Sequence, residues 1–279
     1  MWQLTRLELF KIFKKPRTYI AFGAIAAIIL LVQLALYIDG EVYLGFLMQS
    51  VNETFDIEGK KLNGYFVCFN ILQTLLVHVP LLIALVAGDM VAGEANRGTL
   101  RLLLTKPVSR EALLLSKFWA SILYTFLLLL FMAVLALFGS MALFGVSDLI
   151  VFKSDMLLIL PQNDVLWRYG AAFAFALLSM VTVAALAFLF SIFADNSIGP
   201  IIATMSVVIV LTILTTMDIP FFNAIKPFLF TNHMLNWKGF FDNPVDRAEV
   251  LKSAGVLLFH SVFFVSLAVG IFRKKDILS

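Results

Sequence analysis

Six stretches of this chain contain no Asp, Glu, Lys or Arg: Thr18–Ile38, Leu62–Gly88, Phe118–Ser147, Tyr169–Ala194, Asn196–Met217 and Ser253–Phe272. Their lengths are 21, 27, 30, 26, 22 and 20 residues. A helix needs about 20 apolar residues to cross a hydrocarbon core of about 30 Å. Helices are required there because no water is present to satisfy backbone groups. The runs are too long, and too poor in period-2 alternation, for barrel strands of about 10 residues. All 39 charged residues fall outside the runs. Ion-coupled carriers and proton pumps commonly hold such residues inside their spans, so their absence weighs against that class. The sequence is 61% hydrophobic with a mean hydropathy of +0.97, and an all-α membrane protein is the expected fold class.

Charge sets the expected orientation. With six crossings the two termini share a side. The segments on that side hold 13 Lys and Arg against 6 acids, and the opposite loops hold 8 against 12. The positive-inside rule then predicts cytoplasmic termini in a bacterial or archaeal plasma membrane. The small net charge of +3 hides this asymmetry and implies no nucleic-acid partner. The basic, apolar start resembles a signal peptide, but the apolar run is too long and lacks a small-residue cleavage site, so an uncleaved first span is expected. Cys68 is the single cysteine, which excludes an intrachain disulfide.

Two units are expected: an interfacial helix at 1–17, and a membrane domain at 18–279 with spans near 18–38, 66–88, 118–145, 169–193, 198–217 and 253–272. On a helical wheel of the first unit Trp2, Leu9 and Phe13 share a face, flanked by Phe10 and Ile12. Gln3, Glu8, Lys11, Lys14 and Lys15 lie opposite. Such a helix lies in the headgroup layer; a plain basic flank obeying positive-inside is the alternative. Pro16 turns the chain into span one. The loop Asp39–Lys61 is acidic, and Asp148–Arg168 ends in a turn cluster. Asp218–Lys252 is aromatic but interrupted by Pro220, Pro227 and Pro244. That last loop reads equally as a re-entrant or interfacial piece, with Trp237 at headgroup depth, and as an ordinary folded loop.

Chemistry-bearing motifs are few. No GxxxxGK[ST] phosphate loop occurs, so nucleotide hydrolysis has to come from another polypeptide. His78, His233 and His260 are far apart and no CxxC occurs, so no metal or cofactor is expected on this chain. GxSxG is absent too. In span two, Asn70, Gln73, Thr74 and His78 share one helical face, which either lines a wet route or joins helices. Thr204, Thr212, Thr215 and Thr216 form a weaker set in span five, and Pro80 is expected to kink span two. Between spans two and three lies the segment Gly88–Phe118, with Arg97, Arg101, Lys106, Arg110 and Lys117 among leucines. The pattern predicts a short helix from Arg97 to Leu104, a break at Thr105–Pro107, and a second helix with Ser109 as N-cap and Glu111 in its first turn.

At these residues the chain resembles the permease subunits of ABC-2-type ATP-binding-cassette transporters. The resemblance is carried by Gly93-Glu94, Arg97-Gly98-Thr99-Leu100, the leucines 102–104 and Pro107-Val108-Ser109-Arg110, together with the six-span layout and the basic N-terminal helix. It implies an ABC-2 fold of the type V exporter kind, with an elbow helix, a cytoplasmic coupling helix and a non-catalytic role. Two ATPase subunits carrying ATP and Mg would dock at Glu94, Arg97, Gly98, Thr99, Arg101, Lys106, Pro107 and Arg110. A second permease subunit would meet it along spans two and five, where Asn70, Gln73, Thr74, His78, Thr204 and Thr212 would border the interface or pathway. Membrane lipid and an extracytoplasmic accessory protein complete the expected partners. The loop is also similar to the group that serves multicopper-enzyme maturation and nitrous-oxide-reductase assembly. An ATPase-independent carrier or channel, and a membrane sensor or scaffold, are the alternatives.

Overall fold

A computed structural model describes residues 1–47, 61–100, 108–152, 157–217 and 219–275. The described chain is almost wholly helical. Helix α1 (Trp2–Phe13) precedes α2 (Pro16–Leu47), whose first residue is a proline, where the missing N–H costs little. Helix α3 (Gly64–Ala87) leads to the short α4 (Asp89–Asn96). Then come α5 (Arg110–Phe144), α6 (Gln162–Phe193), α7 (Ile198–Thr216) and α10 (Arg247–Lys274), with the single turns α8 (Pro220–Asn223) and α9 (Phe230–Met234) between the last two. Five helices, α2, α5, α6, α7 and α10, are long and apolar enough to cross a membrane. The protein is therefore a multi-pass membrane protein.

Helix α3 qualifies as a further crossing when its halves, Gly64–Leu75 and His78–Ala87, are taken together; they meet at 54°. Pro80 accounts for the bend. It has no N–H for the carbonyl four residues back, and its ring crowds that carbonyl.

The loops sort to two ends. At one, Asn63 Nδ2 donates to the Asp148 carbonyl at 2.8 Å, and Arg168 Nη1 donates to the carbonyls of Phe240 and Asp242. At the other, α1, α4, the α6–α7 turn and the end of α10 meet. Helix α6 is the central post. Its contacts with α10, α3, α7 and α5 make it the most buried crossing, with Ala184, Ala185, Ala187 and Phe188 fully enclosed. Small residues there let neighbouring backbones approach closely.

Several sequence expectations need correction. The first helix does not stop near Ile38: α2 runs on through Asp39 and Glu41 to Leu47. The 148–168 loop contains an antiparallel hairpin, β1 (Leu149–Phe152) with β2 (Leu157–Leu160), registered Leu149 to Leu160. The 219–252 region is a folded cap rather than a re-entrant piece. Trp237 and Phe241 are buried in it, packing with Phe69 and Tyr169 at ring separations of 4.9–5.6 Å. Trp237 is therefore enclosed by protein and is not an exposed anchor against lipid headgroups. Helix α1 departs from the wheel expectation at one residue of its polar face: Glu8 is buried with Thr5 and Ile12, while Leu9 and Phe13 pack against the core and Trp2, Leu7 and Phe10 are 69%, 58% and 59% exposed.

Candidate functional site, a buried ionic ring

The burial of Glu8 in α1 has a cause on the neighbouring helices. Lys11 Nζ lies 2.6 Å from Glu8 Oε1 and 3.0 Å from Glu94 Oε1. Lys117 Nζ lies 2.8 Å from Glu8 Oε2 and 2.6 Å from Glu94 Oε2. Two ammoniums and two carboxylates alternate in a closed ring, and every carboxylate oxygen faces a cation. Lys117 is 1% exposed and Glu94 4%. Isolated, either charge would be very costly to bury; paired and neutral as a set, the ring is tolerated. It fastens α1 to α4 and α5, which is why Glu8 is buried while the Lys11 side chain stays 43% exposed at the edge of the ring.

Burial raises the pKa of Glu8, but the charge of Lys117 and the hydrogen bonds from Lys11 and Lys117 outweigh it and hold the carboxyl below its ordinary value. For Lys11 burial lowers the pKa, and its bonds and attraction to Glu8 and Glu94 more than offset that.

Asp89 organises a second knot one turn away. Its Oδ2 accepts from Lys15 at 2.6 Å and pairs with Arg17 at 2.5 Å, while Ser197 Oγ donates to Oδ1. It thereby ties the α1–α2 corner to the α6–α7 turn. Burial lowers the Lys15 pKa; Asp89 opposes this, and the charges of Arg17 and Arg97 reinforce it. Gly93 makes room for the knot, since a Cβ at that position would lie 2.1 Å from Asp89 Oδ1. Ser191 Oγ on α6 accepts from the Val91 and Ala92 amides at 3.0 and 2.9 Å, satisfying groups in the first turn of α4.

The sequence-derived coupling residues fall in different places. Glu94 is inside the ring. Arg97 and Gly98 are exposed at the tip of α4. Gly98 has φ +68°, a left-handed conformation that ends the helix without Cβ strain. The expected helix start at Arg97 thus shifts, with α4 ending at Asn96 and helical backbone resuming at Thr99, whose hydroxyl donates to the Glu94 carbonyl. Arg101, Lys106 and Pro107 lie outside the described residues. Ser109 caps α5 by accepting from the Ala112 amide at 3.2 Å. Arg110 Nη1 donates to the carbonyls of Arg273 and Lys275, and Arg273 pairs with Glu111. Arg110 is thus committed to the end of α10.

The stripe on α3 is turned outward. Gln73, Thr74 and His78 are exposed and Asn70 half-buried. Thr204 is buried and donates to its own helix at Pro200 O, and Thr212 is half-buried. Gln33, buried in α2, was not legible as special. It donates to the Leu135 carbonyl and to Ser140 Oγ, both at 3.0 Å, beside a π-helical segment of α5 at Val134–Gly139. A lone Gln in an apolar run was the available signal. Among the described residues no three His, Cys, Asp or Glu side chains gather in a way that could hold a metal.

Comparison with known proteins places residues 18–278 in the family described as a protein of unknown function, DUF2705. The chain belongs to this family. The match begins at Thr18, so it covers the membrane domain and excludes α1. A relative, the uncharacterized protein YhcI of Bacillus subtilis (strain 168), is 26% identical over 205 residues, 69% of this chain. The match spans 63% of that relative's length.

Proposed function

We propose that this DUF2705 chain is the membrane permease subunit of an ABC-2-type ATP-binding-cassette transporter, working as an exporter. In this reading its termini face the cytoplasm of a bacterial or archaeal cell, α3 completes a set of six crossings, and two copies of a separate ATPase supply ATP and Mg chemistry. The carrying observation is mechanical. The exposed Arg97–Gly98 tip rises from α4, whose opposite face is locked by Glu94 to Lys117 on α5 and Lys11 on α1. A push on the tip reaches one crossing and the elbow helix together, and through Asp89 reaches the α6–α7 turn. The cluster of Lys15, Arg17 and Arg97 gives this end a positive face for an acidic cleft.

The polar stripe of α3 supports the second half of the reading. Asn70 and His78 bond carbonyls of their own helix and Gln73 accepts from Lys238, which leaves the Gln73 amide N–H₂ and one His78 ring nitrogen to be satisfied, at several kcal/mol each in hydrocarbon. A second permease subunit and a wet path between the two would cover them.

Where a P-loop ATPase is encoded beside this chain, co-expression with it tests the proposal. Arg97→Glu with Arg101→Glu should abolish its co-purification while membrane insertion and the melting temperature stay unchanged. Retained co-purification refutes the docking role. Ion-gradient-driven transport by the purified chain alone would establish a carrier instead.

A further inference from the structure

Helix α1 presents a row of side chains that neither the ionic ring nor the Asp89 knot uses. Trp2, Arg6, Phe10 and Lys14 follow one another at intervals of four residues, so they stack along one face of the helix. All four are exposed, and Leu7 is exposed beside them. Aromatic rings and cations alternate along this row. Lys14 Nζ lies 4.6 Å from the centroid of the Phe10 ring, close enough for the ring face to attract the ammonium. The charges on the row are uncompensated. Glu8 is the one acid in residues 1–17, and its carboxylate is spent inside the ring on Lys11 and Lys117. Lys15 and Arg17 are held by Asp89. Arg6 and Lys14 make no ion pair among the described residues. The outward face of α1 is therefore aromatic and positive, with no carboxylate on it.

The ring also sets the depth of this face. Lys117 closes the ring on Glu8, and the charge-free run of α5 starts at the next residue, Phe118. The charge-free run of α2 starts at Thr18, four residues after Lys14. Helix α1 is thus pinned where two apolar runs begin, at the boundary between hydrocarbon and water. Trp119 of α5 stands at the same level and is 53% exposed, as aromatic side chains at a headgroup boundary are. An acidic protein surface would match Arg6 and Lys14 but leave Trp2, Leu7 and Phe10 without an apolar cover. A bilayer edge supplies both kinds of contact at once.

We infer that the outward row of α1 is a recognition surface for anionic phospholipid. Trp2, Leu7 and Phe10 enter the boundary of the acyl chains, and Arg6 and Lys14 pair with headgroup phosphates. The ionic ring makes this selectivity possible, because it withdraws the one carboxylate that would otherwise repel the lipid. Each basic residue near an anionic bilayer surface strengthens association about fivefold. The inference is independent of the transport reading, since it uses neither Arg97 nor Arg101 and needs no ATPase.

Tryptophan quenching in the full chain tests it. The protein is placed in nanodiscs of equal parts phosphatidylcholine and phosphatidylglycerol, with bromine on the upper acyl chain of one lipid or the other. Subtracting the signal of a Trp2→Phe variant isolates Trp2 from Trp119, Trp167 and Trp237. Trp2 is expected to be quenched several-fold more strongly by brominated phosphatidylglycerol than by brominated phosphatidylcholine. That preference should fall towards one in Arg6→Gln with Lys14→Gln and in high salt, which screens exposed charge. The exchange Arg6→Lys with Lys14→Arg should keep it. Equal quenching of Trp2 by the two lipids overturns the inference, as does a preference that salt leaves unchanged. Absence of quenching by either lipid also overturns it and assigns the row to a protein partner. If the glutamine pair is misfolded by size-exclusion profile, the salt series on the unmodified chain decides alone.

Discussion

Lys117 sits near the start of a helix that crosses the membrane, yet its ammonium is enclosed by two carboxylates from different elements. Removing it leaves Glu8 and Glu94 with only Lys11 between them. Lys117→Met is therefore expected to destabilise the protein by about 3–5 kcal/mol, the usual cost of breaking a buried pair from one side. The double variant Lys117→Met, Glu94→Leu retains the neutral Glu8–Lys11 pair and should recover much of the loss, as read from melting curves in detergent. The ring also fixes a pH window. Glu8 titrates below its ordinary 4.5 in the folded chain, so its stabilisation is complete above pH 4.5 and is lost as pH falls through the folded value. Lys11 titrates above 10.5, so its share is complete below pH 10.5 and is lost as pH rises through the folded value. Stability differences between the parent and the ring-less double variant should stay flat between these limits and shrink at the acid end; a difference that changes near pH 7 would contradict the assignment. Gly93→Ala should act on the Asp89 knot, by displacing the carboxylate that a Cβ would overlap.

The π-helical turn of α5 is the irregular element with a visible partner. Its wider spacing leaves the Leu135 carbonyl available, and Gln33 of α2 takes it up. Gln33→Leu keeps the volume and removes the donor. It is expected to cost about 1–3 kcal/mol, the penalty for a buried unpaired acceptor, while Gln33→Glu should cost more, since a carboxylate cannot donate to that carbonyl. The comparison is again a melting series. Elements of this kind mark what the sequence conveys and what it does not. Charge-free runs marked the long apolar helices because lipid excludes charge locally, residue by residue, and the Ser109 cap was legible because its bond spans three positions. The burial of Glu8 in α1 was not legible. It depends on charges 83 and 109 residues away from their partners, and no helical wheel contains them. The hairpin was hidden for a related reason: its strands are four residues each and uniformly apolar, with no alternation to separate them from a membrane run.

At the scale of the molecule, the exposed surface has two kinds of membrane-facing wall. On α10, Leu258, Phe259, Val262 and Phe263 are exposed and apolar, a face that lipid can cover. Helix α3 exposes Gln73, Thr74 and His78 beside α7, whose Ile202, Ile209 and Ile213 are also exposed. Of these two walls the second is the more polar, with the Gln73 amide N–H₂ and one His78 ring nitrogen making no hydrogen bond among the described residues, so a second copy is expected there and not on α10. Two-fold association would bring the same patch against itself, placing equivalent residues close together across the axis. Cysteine substitution reads this directly, because the native Cys68 is buried and should stay silent. Thr74→Cys or His78→Cys in native membranes should give a crosslinked dimer with a short bis-maleimide, and Val262→Cys should remain monomeric under the same treatment. Efficient crosslinking through Val262 with none at 74 or 78 would move the interface to α10. The α3 stripe would then have water alone to satisfy it, leaving the subunit a pathway independent of a second copy.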